Sequence, residues 1–326
     1  MKHIFIMNPA AGKGKAGNVF LPRIIEASKK LEIDYEIHRT IAPGDAEHFV
    51  RSRCEAMARE MSGDNGANGD IVRFYACGGD GTLNEVVNGA YGYKDVEVAM
   101  IPAGTGNDFP RSFGDASHFE DIEAQIHGAS LCIDLICYET ESAEEETGPV
   151  IRYGINMFNI GLDCNAADLV GKIKQYPFVK GPLAYILGVG IVLGKKEGIT
   201  LQILFEDGDT YEGEFMLAAI GNGRYCGGGF KGMPKAELDD GLMDVSIVDN
   251  ITRRTFLSLI GKYHKGTHLD DPEVMKFLTY KQCKKLKMIP VGRVKMCTDG
   301  EISTVGQTSF EIIPNAMKFS VPQGCY

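Results

Sequence analysis

Apolar and polar positions follow two distinct patterns along the N-terminal third of the chain. Nearly continuous short apolar runs indicate buried strands, and apolar residues that recur every three to four positions indicate amphipathic helices. Strand-like runs occupy 3–8, 34–40, 71–77 and 96–102, and helical patterns lie around 20–31, 46–61 and 83–90. This alternation predicts an α/β domain whose parallel sheet is covered on both faces.

The pattern changes after about residue 129, where extended runs follow one another with glycine-rich or acidic loops between them. Successive strands joined by loops predict a mostly antiparallel β-sandwich. We therefore predict two domains, at 1–128 and 129–326, and leave open whether the last strands return to the first domain. Further helical patterns occur in the second domain, at 252–264 and 272–278.

Composition and charge narrow the function classes. The 326 residues are 44% hydrophobic and 24% charged, as in ordinary globular proteins, and the net charge of -10 argues against nucleic acid as a partner. Nine cysteines without a C-x-x-C spacing, and a first segment without the features of a secretory signal, favour the reducing cytoplasm. The longest apolar run, at 182–194, is too short to cross a bilayer, so no transmembrane segment is predicted.

Three glycine-rich loops follow strand-like runs of the first domain. They are NPAAGKGKAG at 8–17, GGDGTLNE at 78–85 and PAGTGNDF at 102–109. In open α/β sheets, ligands bind beyond the carboxyl ends of the strands, and glycines let backbone amides approach a phosphate closely. The loops match neither the P-loop pattern nor the dinucleotide-binding pattern G-x-G-x-x-G. Together they predict a phosphate site of another kind.

Asp80 is the unusual residue of these loops, because it places a carboxylate among glycines. A carboxylate that faces phosphates is tolerable only when a cation such as Mg²⁺ neutralises the charge between them. Asp80 is therefore a candidate metal ligand.

The segment GGDGTLNEVVNG, followed by PAGTGNDFPRSFG, resembles the signature of the diacylglycerol kinase catalytic domain of bacterial lipid kinases, which are relatives of sphingosine and ceramide kinases. GGDG alone is shared with NAD kinases and, more loosely, with phosphofructokinases, whereas the combination of motifs is specific. The resemblance extends to NPAAGKGKA at 8–16, TIAPGDA at 40–46, GNGRYCGGGF at 221–230, PKAELDDGLMDV at 234–245 and TDGEI at 298–302.

The resemblance implies an enzyme that transfers the γ-phosphoryl group of ATP to a lipid hydroxyl, with diacylglycerol as the leading acceptor. The nucleotide would lie in the cleft between a nucleotide-binding α/β domain and a lipid-substrate β-sandwich. Asp80 would hold Mg²⁺ on the transferring phosphate, directly or through water. By motif, the nucleotide site would comprise Asn8, Pro9, Lys13, Thr40, Gly78, Gly79, Asp80, Gly81, Thr82, Asn84, Thr105, Asn107 and Asp108.

The same resemblance places a carboxylate of TDGEI near the acceptor hydroxyl. Glu301 is our choice as general base, and Asp299 is its nearest competitor. A strand at this point would put both side chains on one face, so the sequence does not separate them.

The segment PKAELDDGLMDV implies a second, structural Mg²⁺. Its ligands would be the carboxylate of Asp240 and main-chain carbonyls of Glu237 and Leu242, which are the oxygen ligands that hard cations prefer. The plainer interpretation is an Asp-Gly turn between two strands.

Two alternatives to a lipid kinase stay open. An NAD kinase-like enzyme is disfavoured by PAGTGNDF and by PKAELDDGLMDV, and a non-catalytic nucleotide- or lipid-binding regulator is disfavoured because Lys13, Asp80, Thr105 and the late DGE occur together.

A lipid substrate implies transient peripheral contact with a membrane surface. Members of this family are often dimers, which leaves a homodimer open. The basic residues that could dock on anionic lipid are Lys172, Lys174, Lys180, Lys195, Lys196, Arg253, Arg254, Lys284, Lys285 and Lys287.

Overall fold

The computed structural model describes residues 1–61, 71–141, 148–162, 164–165 and 198–325. The chain divides into two compact units, one formed by Met1–Ile133 with Asn315–Tyr326 and the other by Asp134–Pro314. The boundary therefore falls after Ile133 rather than after 128, and the C-terminal residues belong to the first unit.

The first unit is built on a parallel sheet, as the sequence predicts. Its strands are β1 (Lys2–Met7), β2 (Tyr35–Arg39), β3 (Val72–Gly78) and β4 (Val96–Pro102), in the order β2–β1–β3–β4. Phe319, near the C-terminus, pairs in parallel with Val98 and adds a further strand beside β4. Every residue of β3 and β4 is buried, which is typical of parallel strands covered on both faces.

Helices connect these strands. They are α1 (Leu21–Lys30), α2 (Asp45–Met61), α3 (Asp80–Ala90) and the short α4 (Ile122–Ile126). Pro22 lies in the first turn of α1, where a missing N–H costs no hydrogen bond. Short 3₁₀ turns occur at Ala11–Lys13, Phe109–Phe113 and Ala116–Glu120, and a π-helical turn at Ala16–Phe20 leads into α1. One core cluster of this unit packs Phe5, Phe20, Ile24, Tyr75 and Ile101 together.

The second unit is mostly antiparallel. Its strands are β5 (Ala129–Thr140, which begins in the first unit), β6 (Val150–Gly154), β7 (Met157–Gly161), β8 (Ile199–Phe205), β9 (Thr210–Gly221), β10 (Met243–Asp249), β11 (Leu278–Cys283), β12 (Lys285–Pro290), β13 (Val294–Thr298), β14 (Glu301–Val305) and β15 (Thr308–Val321, which ends in the first unit). Strands β7, β8 and β10 each pair antiparallel with β9, and β12 pairs antiparallel with β8 and β15.

Helix α5 (Arg253–Lys265) confirms the helical pattern at 252–264. It begins after Thr252, whose hydroxyl accepts the N–H of Thr255 (3.2 Å), and ends at Gly266 with φ of 73°. The helix predicted at 272–278 is wrong, because only a 3₁₀ turn forms at Val274–Lys276 and β11 begins at Leu278. Among the described residues, no helix is long and apolar enough to cross a membrane. The apolar run at 182–194 lies outside the described residues.

Candidate functional site

The three glycine-rich loops meet at the carboxyl end of the parallel sheet in the first unit. The main chain of Asn8, after β1, donates its N–H to the carbonyl of Cys77 in β3 (3.0 Å). The carbonyl of Gly78 accepts the N–H groups of Ala103 (2.8 Å) and Gly104 (3.1 Å), both after β4. The strand order β1–β3–β4 thus brings together loops that are far apart in sequence.

Asn8 fixes the first loop against α3. Its Oδ1 accepts the N–H of Ala10 (3.0 Å), and its Nδ2 donates to Oγ1 of Thr82 (3.1 Å), which is buried in the first turn of α3. Pro9 and Lys13 are exposed on the same loop. An exposed lysine beside a glycine-rich turn can approach a phosphate as a point charge.

Two glycines are required where the loops pack backbone against backbone. A Cβ on Gly12 would lie 2.1 Å from the carbonyl oxygen of Ala103, and a Cβ on Gly104 would lie 2.5 Å from the Cα of Gly79. Gly12 also has a φ of 58°, which favours glycine. A side chain at either position would push the loops apart.

Asp80, in the first turn of α3, holds the loop after β4. Its Oδ2 accepts the main-chain N–H of Asn107 and its Oδ1 accepts that of Asp108, both at 2.9 Å. Asn107 has a φ of 51°, and its Nδ2 donates to the carbonyl of Gly104 (3.0 Å). Asparagine adopts this left-handed conformation more readily than most residues. The Asp80 carboxylate therefore holds the main chain of this loop against α3.

The other predicted nucleotide residues differ in exposure. Thr105 is exposed, and Asp108 is buried with its Oδ1 3.6 Å from Nε of Arg111. Asn84 is buried on α3, and Thr40 is half-buried at the end of β2. All of these residues lie in the first unit.

Glu85, which the sequence analysis did not single out, holds the loop after β2. Its Oε1 accepts the N–H of Gly44 (2.8 Å) and its Oε2 accepts that of Ala46 (3.1 Å). In the same loop, Oδ2 of Asp45 accepts the N–H of Ile41 (3.0 Å). The feature of the sequence that could have identified Glu85 is that it places a second carboxylate on α3, little more than one turn after Asp80, among mostly apolar and small residues.

Asp299 and Glu301 have different surroundings in the second unit. The prediction that one strand places them on the same face is wrong, because β13 ends before Asp299 and β14 begins at Glu301. Asp299 lies in the turn with a φ of 48° and is 3% exposed. Its carboxylate accepts the main-chain N–H groups of residues 155–157 at 2.9–3.0 Å. Glu301 is exposed.

The segment before β10 forms the Asp-Gly turn that the sequence suggested as the plainer interpretation. Oδ1 of Asp240 accepts the N–H of Leu242 (2.9 Å), and Gly241 has a φ of 73°. Burial, and then the nearby carboxylates of Glu237 and Asp134, raise the pKa of Asp240. A cation at this turn would offset the repulsion among these carboxylates.

Asp134 is a second residue that the sequence analysis missed. It is fully buried on β5, its Oδ2 accepts the N–H of Gly241 (2.7 Å), and its N–H donates to the carbonyl of Leu238 (2.7 Å). The available signal was a single carboxylate inside the apolar run LCIDLIC.

Comparison with known proteins shows which family the chain belongs to. Residues 2–138 match the model described as the diacylglycerol kinase catalytic domain, and residues 156–321 match the YegS C-terminal NAD kinase beta sandwich-like domain. The chain is 32% identical over 229 residues to a diacylglycerol kinase of Staphylococcus aureus, which covers 69% of this chain and 67% of that protein. The chain belongs to the diacylglycerol kinase family.

The similarity to this family extends over nearly the whole length. A Stenotrophomonas maltophilia protein named "Probable lipid kinase YegS-like" is 27% identical over 316 residues, which span 95% of this chain and 94% of that protein. The crystal structure of a diacylglycerol kinase from Bacillus anthracis superposes with a TM-score of 0.67 at 20% identity, covering 100% of this chain and 98% of that chain. The predicted fold class, a parallel α/β domain with an antiparallel β-sandwich, is confirmed.

Diacylglycerol kinase similarity implied Mg²⁺, and the residues present fit a hard cation. A Cβ on Gly106 would lie 2.9 Å from Oδ2 of Asp80 and 3.4 Å from Oδ2 of Asp108, so these two carboxylates flank one residue. In the part of the chain that the structure describes, no three carboxylate, histidine or cysteine side chains converge as a metal site. Main-chain carbonyls, water or phosphate would therefore complete the ligand shell here and at Asp240.

Proposed function

We propose that this member of the diacylglycerol kinase family is an ATP-dependent lipid kinase, with diacylglycerol as the leading acceptor and phosphatidic acid as the product. The observation that carries the proposal is the convergence of three glycine-rich loops on α3, with Asp80 bound to the main chain of the third loop. Relatives named as diacylglycerol kinase and lipid kinase support a lipid hydroxyl as acceptor.

The nucleotide phosphates are proposed to lie against the first turn of α3. The first N–H groups of a helix and its dipole favour anions, and the exposed Lys13 adds positive charge to the neighbouring loop. When bound, Mg²⁺ would neutralise phosphate charge, and Asp80 and Asp108 are the carboxylates that would hold it.

Phosphoryl transfer then requires a proton acceptor. The lipid hydroxyl oxygen attacks the γ-phosphorus, the bond from that phosphorus to the bridging oxygen breaks, and ADP leaves with the electron pair. We assign the hydroxyl proton to the Glu301 carboxylate, which is exposed. Asp299 is a poorer choice, because it is buried and three main-chain N–H groups already occupy its carboxylate.

The experiment is a transfer assay with radiolabelled ATP and Mg²⁺ against diacylglycerol, phosphatidylglycerol, ceramide and undecaprenol in mixed micelles, with NAD as the soluble acceptor. We expect labelled phosphatidic acid to be the main product. Labelled NADP would instead support an NAD kinase-like enzyme. ATP binding without any labelled product would contradict the proposal and support a regulator. Lys13→Ala is the matched variant, and it should raise the KM for ATP.

A further inference from the structure

Helix α3 carries two carboxylates that each bind two main-chain N–H groups of a different loop. Asp80 accepts the N–H groups of Asn107 and Asp108, after β4. Glu85 accepts the N–H groups of Gly44 and Ala46, after β2. Both loops are separated from α3 by at least one strand or helix in sequence, so these four hydrogen bonds are long-range contacts.

The loop after β4 needs such an anchor because its conformation is unusual. Asn107 has a φ of 51°, and Gly104 packs so closely on Gly79 that a Cβ would lie 2.5 Å from the Gly79 Cα. Hydrogen bonds from main-chain N–H groups to a charged carboxylate are stronger than those to neutral acceptors. Asp80 therefore supplies the contact that holds the loop in this shape.

The loop after β2 needs an anchor for a different reason. It leads into α2, whose first N–H groups have no acceptor within the helix. Gly44 has a φ of 83°, and Ala46 is fully buried at the start of α2. The Glu85 carboxylate satisfies two of these N–H groups from another helix, and its negative charge interacts favourably with the positive end of the α2 dipole.

We propose that α3 is the positioning element of the nucleotide site, with Asp80 fixing the loop that carries Thr105 and Glu85 fixing the loop that follows Thr40. The inference rests on the proposed function, in which these loops contact ATP. Glu85 is a positioning residue, because it binds the main chain of the loop that follows Thr40 and is not assigned a contact with the ligand itself. Asp80 has the same role in addition to any contact with Mg²⁺.

Binding of ATP without metal separates this role from a purely metal-binding one. If Asp80 served only as a metal ligand, Asp80→Asn would remove a negative charge from beside the phosphates, and ATP in EDTA would bind as well or better. If Asp80 positions the loop, ATP in EDTA binds more weakly. The expected rise in Kd is about tenfold for Asp80→Asn and for Glu85→Gln.

The direct test is hydrogen exchange of the main-chain amides in protein without nucleotide or lipid. Glu85→Gln should speed exchange at 40–47 about tenfold and leave 104–109 unchanged, whereas Asp80→Asn should do the reverse. Glu55→Gln on α2 is the matched control, because Glu55 is 45% exposed and forms its ion pair with Arg59 on the next turn of the same helix. It should change neither segment.

Gly106→Ala tests the Asp80 contact without changing any charge. The added Cβ would press on Oδ2 of Asp80 at 2.9 Å, so exchange at 104–109 should rise as in Asp80→Asn. Unchanged exchange in both variants would overturn the Asp80 role, and unchanged exchange at 40–47 in both Glu85→Gln and Glu85→Ala would overturn the Glu85 role. Exchange is measured without substrates, so its result does not depend on the lipid assay. If the variants open the loops but the original protein phosphorylates no lipid, the proposed function is refuted and the positioning role stands.

Discussion

Asp299 and Glu301 are close in sequence and have opposite surroundings. The Asp299 carboxylate is buried and accepts three main-chain N–H groups, whereas Glu301 is exposed at the start of β14. We expect Asp299→Asn to lower the free energy of unfolding by about 3 kcal/mol, because a neutral amide replaces a charged acceptor of several hydrogen bonds. Urea denaturation measures this loss.

Glu301→Gln is the matched variant for the same pair. Its free energy of unfolding should stay within about 0.5 kcal/mol of the original, because the residue is exposed. Its turnover with diacylglycerol should fall by about 100-fold or more, as expected when a general base is removed. A fully stable Asp299→Asn protein without turnover, beside an active Glu301→Gln protein, would reverse the two assignments.

His3 is a buried residue whose titration affects stability. Its Nδ1 lies 2.8 Å from the hydroxyl of Tyr75, and burial, followed by the positive charge of Arg73, lowers the His3 pKa from 6.5 to about 4. Between these values the unfolded chain binds a proton that the native protein does not. Stability therefore falls as the pH is lowered from 6.5 to 4, by up to about 1.4 kcal/mol per pH unit from this group.

The measurement is urea unfolding at several pH values between 7 and 4.5 for the original protein and for His3→Asn. The free energy of unfolding of His3→Asn should depend less steeply on pH in this window, by the equivalent of about one proton. His268, whose pKa burial also lowers to about 4, remains in the variant and keeps part of the slope. His48→Asn, at an exposed position on α2, is the control. Equal slopes for all three proteins would show that His3 does not titrate as described.

At the scale of elements, the sequence predicts the order of strands and helices in the first unit well. β3 and β4 are buried throughout and mostly apolar, apart from the ion-paired Arg73 and Glu97, so the local sequence is enough to predict them. The three glycine-rich loops were predictable for the same reason. The hydrogen-bond partners of these loops could not be predicted. The contact of Asp80 with Asn107 depends on β3 lying beside β4, and the periodicity of the sequence does not show which strands are neighbours.

Two predictions about elements failed where tertiary contacts override local pattern. The apolar spacing at 272–278 suggested a helix, yet β11 pairs from Leu278 onward with β10. The single strand expected to place Asp299 and Glu301 on one face does not form. The Asp299 carboxylate instead binds the main chain of 155–157 and closes a turn between β13 and β14. Glu85 was missed because the N–H groups that it accepts, those of Gly44 and Ala46, lie far away in sequence, so its place on α3 does not reveal its partners.

At the scale of the whole molecule, α5 departs from the average charge of the chain. The net charge is -10, whereas the α5 sequence RRTFLSLIGKYHK contains four lysines and arginines and no acidic residue. Its inner side packs Phe256, Leu259 and Ile260 against a core cluster. Arg254 and Lys265 are exposed, as is Leu257 at 57%.

The structure describes only some of the other basic residues suggested by the sequence. Lys284 is exposed and Lys287 is half-buried. Lys285 forms an ion pair with Glu311 (2.8 Å). Lys172, Lys174, Lys180, Lys195 and Lys196 lie outside the described residues. The outer face of α5 carries exposed basic and apolar residues side by side, so the proposed contact with anionic lipid is tested there.

We expect the double variant Arg254→Gln/Lys265→Gln to bind phosphatidylglycerol-containing vesicles more weakly, by about fivefold for each charge removed, because a basic residue near an anionic surface contributes about 1 kcal/mol. Sedimentation with vesicles of phosphatidylcholine alone and of phosphatidylcholine with phosphatidylglycerol, at low and high salt, measures this effect. Lys30→Gln is the control, since Lys30 is exposed and already paired with Glu123 (2.7 Å). The α5 contact would be excluded by binding that is the same for neutral and anionic vesicles, or that the double variant retains in full. High salt should weaken the binding of the original protein to anionic vesicles toward the level of the double variant, because salt and the substitutions reduce the same electrostatic attraction.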